Sequence, residues 1–336
     1  MKNRPLLGAI RWDAWYGHNA NDTNILLQVE KSLSPKEYHF RAPFFSTVTE
    51  DGKIYIPQYT FDTFEKEMEY AVKAQIDYFA YVWYDGAMGI CRRMHGQSKY
   101  RNQVKLCPCL DGNAINKEYA RDEISELLEK DFFMTVLDGR PLMYYFGNGR
   151  NQADIQREIA FYKDVCRKKN IPEPYAVIMN NSWGDVLAHG GDAVSKYAVG
   201  AQDGLPFAGL MDKTRKVWEW WLNDNGHIVP IISAGWHSKT RYDNPVKWMT
   251  VPENSWGGYA TGEQIAELTR DAFDFIKEHP ENCEANTAII YAWNEHDEGG
   301  WICPTIAVDG NGKQIMNSDG TPRINDERIR ALAAMW

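Results

Sequence analysis

The chain has 336 residues, of which 44% are hydrophobic and 25% are charged, and its net charge is −9. This balance is typical of a globular protein, and no apolar run approaches the roughly 20 residues of a membrane helix. Lys and Arg are scattered along the chain. A nucleic-acid partner and a membrane partner are therefore not expected.

Aromatic residues are abundant, with 13 Trp, 13 Phe and 18 Tyr. Many of the Trp and Tyr stand beside Gly, Asp and Asn, which favours a sugar-binding surface over a phosphate-binding one. The six cysteines are too sparse for a disulfide scaffold, and none has the CxxC spacing of a zinc site. We expect Cys107 and Cys109 to be thiols on a buried strand.

The residues after Met1 run into an apolar strand pattern without the apolar region or cleavage site of a signal peptide. A cytoplasmic protein, or a chain from which a signal has been removed, has this pattern. Nothing in the sequence indicates an oligomeric state.

Short apolar runs alternate along the chain with stretches of helical period, the pattern of a parallel α/β sheet. The predicted strands span residues 6–12, 77–84, 104–110, 139–146, 175–179, 192–197, 227–234 and 285–293. The predicted helices span residues 64–75, 117–131, 152–169, 212–223, 261–278 and 327–335. This order predicts a single (β/α)8 TIM barrel over residues 1–336, with long βα loops and hairpins near residues 50–53 and 309–312.

Two predicted helices carry capping patterns, Asp62 with Glu65 and Thr261 with Gln264. The alternative architecture is an open doubly wound sheet that binds a dinucleotide. The first strand lacks the Gly-rich turn of that fold, and the one Gly-x-Gly, at Gly147 and Gly149, is not completed. The barrel is favoured, and no cofactor is predicted.

In a TIM barrel the active site lies at the carboxyl ends of the strands. Aromatic rings there can cover the apolar faces of sugars while Asp, Asn and His bind hydroxyl groups, although each Trp can equally be part of a barrel lid. The candidate substrate-binding residues are Asp13, Trp15, Tyr16, Trp83, Tyr84, Asp85, Asp111, Asn148, Asn180, Trp183, Trp236, His237, Asn294 and His296.

The candidate catalytic residues are Glu295 and Glu298, three positions apart just after the apolar eighth strand. Glycoside hydrolysis needs one protonated and one ionised carboxyl group. Clustered acids raise each other's pKa, which predicts that Glu298 stays protonated while Glu295 is charged. The alternative is a solvated acidic loop, but the position at a strand end between Trp293 and Trp301 favours catalysis.

Other chemistries have less support. No HxH or HExxH pair occurs, so a zinc site would have to combine His237 and His296 with carboxylates. No GxSxG elbow, P-loop or cysteine nucleophile motif is present either. No metal is therefore predicted, and acyl and phosphoryl transfer are disfavoured.

The chain resembles the glycoside hydrolase family 99-like group, also labelled WbsX-like, whose members include endo-α-mannosidases and endo-α-mannanases. The resemblance spans most of the chain and rests on residues 15–17, 76–84, 138–145 and 293–299, the last with the motif Asn-Glu-x-x-Glu-Gly. It implies a retaining mechanism on a carbohydrate with a free 2-hydroxyl. Glu295 would assist attack by the sugar's own 2-oxygen, and Glu298 would protonate the leaving oxygen and then activate water.

Two departures from the group's pattern point to an altered sugar. His296 stands where the group usually has an aromatic residue, and residues 110–113 replace a Trp-Ala-Asn-Glu motif. A charged sugar could be held by basic residues in the predicted loops, namely Arg92, Arg93, Lys239 and Arg241. Two other functions stay open, a carbohydrate-binding barrel without turnover and a glycosyltransferase of polysaccharide assembly.

Overall fold

The computed structural model describes residues 4–21, 23–111, 116–180 and 182–336. Asn113 and Asn181, which follow the third and fifth predicted strands, lie outside these ranges. Eight parallel strands form the central sheet, in the order β7-β8-β1-β2-β3-β4-β5-β6. The strands are β1 Leu6–Arg11, β2 Tyr78–Val82, β3 Lys105–Leu110, β4 Arg140–Phe146, β5 Tyr175–Met179, β6 Ala193–Ser195, β7 Ile231–Ser233 and β8 Thr287–Tyr291.

The sheet closes between β6 and the segment that leads into β7. Val194 N donates to His227 O at 2.8 Å, and Val229 N donates to Val194 O at 2.9 Å. These bonds give the two outer members of the sheet a parallel bridge, Val194 to Ile228. The predicted (β/α)8 barrel is therefore confirmed.

Helices surround the barrel and occupy its long loops. They are α1 Asn24–Leu33, α2 Phe61–Lys73, α3 Ile90–His95, α4 Glu118–Leu127, α5 Gln152–Lys169, α6 Trp183–His189, α7 Phe207–Asn223, α8 Lys239–Asp243, α9 Gly262–Glu278 and α10 Glu327–Ala333. The sequence analysis missed α1, α3, α6 and α8, since short helices give too few turns for a clear period. None of the described helices is both long and apolar enough to cross a membrane.

Local signals placed several elements correctly. The predicted α5 and β5 have the observed bounds, and Thr261 forms the expected capping box with Gln264 at the start of α9. The predicted Asp62 and Glu65 cap is wrong. The helix begins earlier, at Phe61, and Thr60 is its cap, accepting a hydrogen bond from the main-chain nitrogen of the third helical residue at 3.2 Å.

Strands β2, β5 and β8 are buried along their whole length, as expected of parallel strands covered on both faces. Cys107 and Cys109 are buried free thiols on β3, as predicted. Inside the barrel the Tyr78 hydroxyl lies 2.7 Å from the Tyr144 hydroxyl. Gly8 of β1 makes room for this ring, because a Cβ there would overlap the Tyr78 phenol.

Two glycines let the segment after β7 pack against the segment after β8. A Cβ on Gly235 would overlap the carbonyl oxygen of Gly299. Gly299 has φ +84°, and a Cβ there would lie 2.6 Å from the main-chain nitrogen of His237. The two loops therefore contact each other through their main chains. This contact brings the residues after Gly235 close to the residues before Gly299.

We expect Gly299→Ala to lower the free energy of unfolding by about 2 kcal/mol or more, since it adds both a positive-φ penalty and a backbone clash. The control is Gly310→Ala, where a Cβ meets no atom within 4 Å and the change should stay within about 0.5 kcal/mol. Denaturant unfolding measures both. Equal stability of the two variants would show that the two loops are free to separate.

Candidate active site

Glu295 and Glu298 lie at the carboxyl end of the barrel, a few residues beyond β8. Asn294–Glu295 pairs antiparallel with Gly300–Trp301, and the intervening residues form the tight end of this hairpin. The two glutamates are only 3% and 6% exposed. The alternative of a solvated acidic loop is therefore wrong, because buried carboxylates need specific partners.

Arg241 of α8 lies among the acids. Its guanidinium donates to both carboxylate oxygens of Asp297, at 2.7 Å from Nε and 3.0 Å from Nη2. Its Nη1 donates to Glu298 Oε1, and its Nη2 lies 3.7 Å from Glu295 Oε2. Since all four side chains are buried, little solvent screens their charges. One positive charge thus faces three carboxyl groups.

Two tyrosine hydroxyls complete the surroundings of the pair. Tyr291, the last residue of β8, donates to Glu298 Oε2, and Tyr197, just beyond β6, donates to Glu295 Oε1. Their ring centroids lie 5.3 Å apart in an edge-to-face contact. Both oxygens of Glu298 therefore have donors, whereas Glu295 Oε2 has no hydrogen-bonding partner among the described residues.

The surroundings of Glu295 strengthen its hold on a proton. Burial, followed by the charge of Glu298, raises the pKa of Glu295 well above its ordinary value, although Arg241 opposes this shift. The sequence analysis expected Glu298 to hold the proton. In the structure it is the pKa of Glu295 that is raised.

Three of the predicted binding residues interact with the pair or with its partner Tyr291. Burial raises the pKa of Tyr84, and the charges of Asp111 and Glu295 act on it in the same direction. The Trp236 ring lies 5.9 Å from the Tyr291 ring. The main-chain nitrogen of His237 donates to Glu298 O at 2.6 Å.

Other predicted binding residues hold the scaffold together. The Asp13 carboxylate accepts from Arg11 Nε at 2.7 Å. The Asn294 side chain accepts a hydrogen bond from Trp12 N at 2.9 Å and donates one to Trp12 O at 2.7 Å. Trp83 is buried beneath Arg92, whose guanidinium lies 4.4 Å from its ring. These contacts position the loops around the pair.

His296 is also a structural residue. Its Nδ1 donates to Arg41 O at 2.6 Å, and its ring meets the Trp15 ring edge to face with centroids 5.2 Å apart. Burial lowers the pKa of His296 to about 3, so the ring is neutral at physiological pH. The polar ring at this position thus replaces an aromatic without adding charge.

The remaining predicted residues are spread more widely. The Tyr16 hydroxyl accepts from Leu26 N at 3.1 Å, and Asn180 is buried beside Gly147. Asp85 and Asn148 are exposed at the ends of β2 and β4. Trp183 stacks on His227, which precedes β7, with centroids 5.5 Å apart, and so lies away from the pair.

Three of the four basic residues proposed to hold a charged sugar are already engaged. Arg92 Nη2 pairs with Glu123 at 2.7 Å, and Arg93 Nη2 donates to Gly86 O at 2.5 Å. Arg241 is held by Asp297 and Glu298, as described above. The three arginines therefore have partners within the chain.

No group of three or more His, Cys, Asp or Glu in the part of the chain that the structure describes is arranged to hold a metal ion. Of the two histidines considered for zinc, His237 has its Nδ1 2.7 Å from Arg41 Nη2. Burial and the charge of Arg41 lower the pKa of His237 to about 3.

A depression of about 1060 Å³ lies at the opposite, amino-terminal end of the barrel. Its lining includes Asp77, which pairs with Arg4 at 2.6 Å, as well as Asp138 and Glu284. A large depression is the usual first candidate for a site. We assign the site to the carboxyl end instead, because the arginine-clamped glutamates lie there and TIM-barrel active sites occupy that end.

The structure adds residues that the sequence analysis did not select. Tyr197 lies two positions beyond β6, so the strand-end criterion would have found it. Tyr291 gave no signal, because within an apolar strand it is indistinguishable from a core residue. Arg241 was selected only as a residue that could hold a charged sugar, and not as the partner of the acids.

No protein-family model matches the chain, and no curated protein matches its sequence. Its fold is similar to two solved structures of the GH99 endo-α-mannosidase from Bacteroides thetaiotaomicron. The complex with BIS-TRIS-Propane has a TM-score of 0.58 and 13% sequence identity, covering 98% of this chain and 95% of the other. The second structure has a TM-score of 0.55 and 12% identity, covering 98% and 96%.

At this level of identity the likeness shows the fold. The resemblance to family 99 is thus confirmed at the level of the fold, and the chain has a barrel that glycoside hydrolases use.

We expect Asp297→Asn to lower the pKa of Glu295, because it removes a negative charge that faces Glu295 and leaves Arg241 in place. Carboxyl carbon NMR on protein labelled at glutamate, with Glu295→Gln for assignment, measures the shift. The control is Glu253→Gln, which removes an exposed charge in a neighbouring loop. An unchanged or raised Glu295 pKa in Asp297→Asn would contradict this electrostatic coupling.

Proposed function

We propose that the chain is a glycoside hydrolase that cleaves the bond between two sugar units of a poly- or oligosaccharide, with Glu295 and Glu298 as its catalytic carboxyl groups. The observation that carries the proposal is the buried pair itself. Two glutamates at the catalytic end of a barrel face one arginine, and one carboxylate oxygen is left without a donor. A buried carboxyl group with a strongly raised pKa, such as that of Glu295, is typical of catalytic sites.

Glu295 is the proposed base. Its Oε2 is the oxygen able to accept a hydrogen bond from a substrate hydroxyl, and a raised pKa makes it a stronger base. In the route implied by the resemblance, Glu295 takes the proton of the 2-hydroxyl and the 2-oxygen attacks the anomeric carbon. The glycosidic bond breaks, and the leaving oxygen takes a proton from Glu298.

The second half of the cycle reverses these transfers. Glu298 takes a proton from water, the resulting hydroxide opens the ring formed by the 2-oxygen, and Glu295 returns its proton to that oxygen. Two inversions at the anomeric carbon give net retention.

The pair must carry one proton on Glu298 when the reaction starts. In the unliganded protein burial raises the pKa of Glu295, but a hydroxyl donating to Glu295 Oε2 would favour its charged form. Substrate binding is therefore expected to favour the ionised form of Glu295 that the role of base requires.

Two other functions compete with hydrolysis. A binding barrel without turnover would have no need for two ionisable groups buried at one point, which costs free energy. A glycosyltransferase of polysaccharide assembly would use the same pair with a sugar hydroxyl in place of water. Hydrolysis is the simplest of the three, because water needs no dedicated acceptor site.

Replacing each glutamate separately tests the assignment. We expect Glu298→Gln to lose about 100-fold or more in kcat/KM on substrates with poor leaving groups and far less on activated aryl glycosides, which do not need an acid. Glu295→Gln should be inactive on both. Equal loss by Glu298→Gln on both substrates would remove it from the acid role, and Glu253→Gln is the neutral control.

The pH profile tests the base. Glu295 must be ionised to act, so activity should fall as the pH drops through its raised pKa, well above the ordinary glutamate value of about 4.3. The profile of kcat/KM in the free enzyme reports this limb. An acidic limb near 4.3 that Asp297→Asn leaves unmoved would contradict Glu295 as the base.

A screen distinguishes hydrolysis from its competitors. The wild type and a Glu295→Gln, Glu298→Gln double variant are incubated with bacterial, plant and fungal polysaccharides, and new reducing ends are measured. Release by the wild type alone supports a hydrolase. Binding by both proteins without release favours the binding barrel or the transferase.

A further inference from the structure

An exposed tryptophan lies beside the arginine of the active site. Trp248, in the loop after α8, is 39% exposed, and its ring centroid lies 5.9 Å from that of Trp12, which is only 7% exposed. The Arg241 guanidinium lies 5.4 Å from the Trp12 ring and 5.5 Å from the Trp248 ring. Because Arg241 donates directly to Glu298, the two indoles lie one side chain away from the catalytic pair.

The loop that carries Trp248 is anchored on both sides of this residue. Lys247 N donates to Gln28 Oε1 of α1 at 2.5 Å, and Met249 Sδ lies 3.1 Å from Arg241 Nη1. An aromatic side chain whose backbone is already fixed loses little freedom when a ligand binds. Trp248 is therefore exposed without lying on an unattached loop.

Trp12 is tied to the catalytic motif by a second route. Its main chain is bonded in both directions by the side chain of Asn294, the residue before Glu295. The two indoles are thus linked to the pair through Arg241 on one side and through Asn294 on the other. A ligand that lies on Trp248 would have a fixed position relative to Glu295 and Glu298.

We propose that Trp248, supported by Trp12, is a platform for a neutral pyranose ring adjacent to the sugar whose bond is cleaved. The flat indole matches the C–H face of a pyranose, and its burial on contact supplies the binding free energy. The charge of Arg241 is taken up by Asp297 and Glu298, so the platform offers no cation to an acidic sugar. This inference rests on the proposed function and names a part of its substrate site.

The test measures binding in the inactive Glu295→Gln, Glu298→Gln background by affinity electrophoresis in gels containing yeast mannan, arabinoxylan or a bacterial O-antigen polysaccharide. In this background Trp248→Ala should weaken binding to the retarding polysaccharide by about 10-fold, while Trp248→Phe keeps most of it. Trp220→Ala is the matched control, because Trp220 is 45% exposed on the far side of the barrel wall, on α7. Near-ultraviolet circular dichroism checks that each variant is folded.

The outcomes separate the platform from the hydrolase. Equal retardation of the parent and Trp248→Ala, or no retardation of the parent by any of the three polysaccharides, overturns the platform, even if the wild type releases reducing ends. Retardation that depends on Trp248 supports the platform. If the wild type also releases no reducing ends, the combined result contradicts hydrolysis but not the platform.

Discussion

The buried guanidinium of Arg241 is the interaction on which the rest of the site depends. Asp297, Glu298 and Glu295 lie within a few ångströms of one another with little access to water. Without a positive charge among them, their mutual repulsion and desolvation would force protons onto them or open the loop. With Arg241 present, Asp297 and Glu298 both have a guanidinium donor, and the charge of Arg241 opposes the rise in the pKa of Glu295.

Arg241 lies among the acids because the main chains of two neighbouring loops pack closely against each other. Arg241 follows β7, whereas the acids follow β8, and the two segments meet where Gly235 lies against Gly299. Strand order makes the two loops neighbours, and the absence of side chains at the meeting point lets their backbones touch. The arrangement of Arg241 among the acids depends on that contact. In this way the stability of the scaffold and the chemistry of the site share the same few residues.

Much of the site was predictable because a TIM barrel gathers strand ends at one rim. That criterion placed Glu295 and Glu298 together with Tyr84 and Trp236. It did not separate residues that face the pair from residues that brace the loops, since both kinds are aromatic or polar. Asp13, for example, pairs with Arg11 instead of facing the glutamates. The spacing of residues in the sequence does not predict that pairing.

The sequence by itself determined the barrel, the bounds of elements such as α5 and β5, and the two glutamates at the end of the eighth strand. These features are local, because the hydrophobic period, the cap residues and the order of the strands can be read from consecutive residues. Only the tertiary structure decided that the pKa of Glu295 is raised, because that depends on its burial and on charges that include Arg241 of α8, far away along the chain. Burial and electrostatic interactions depend on distances between side chains in three dimensions. The order of residues along the chain does not give these distances.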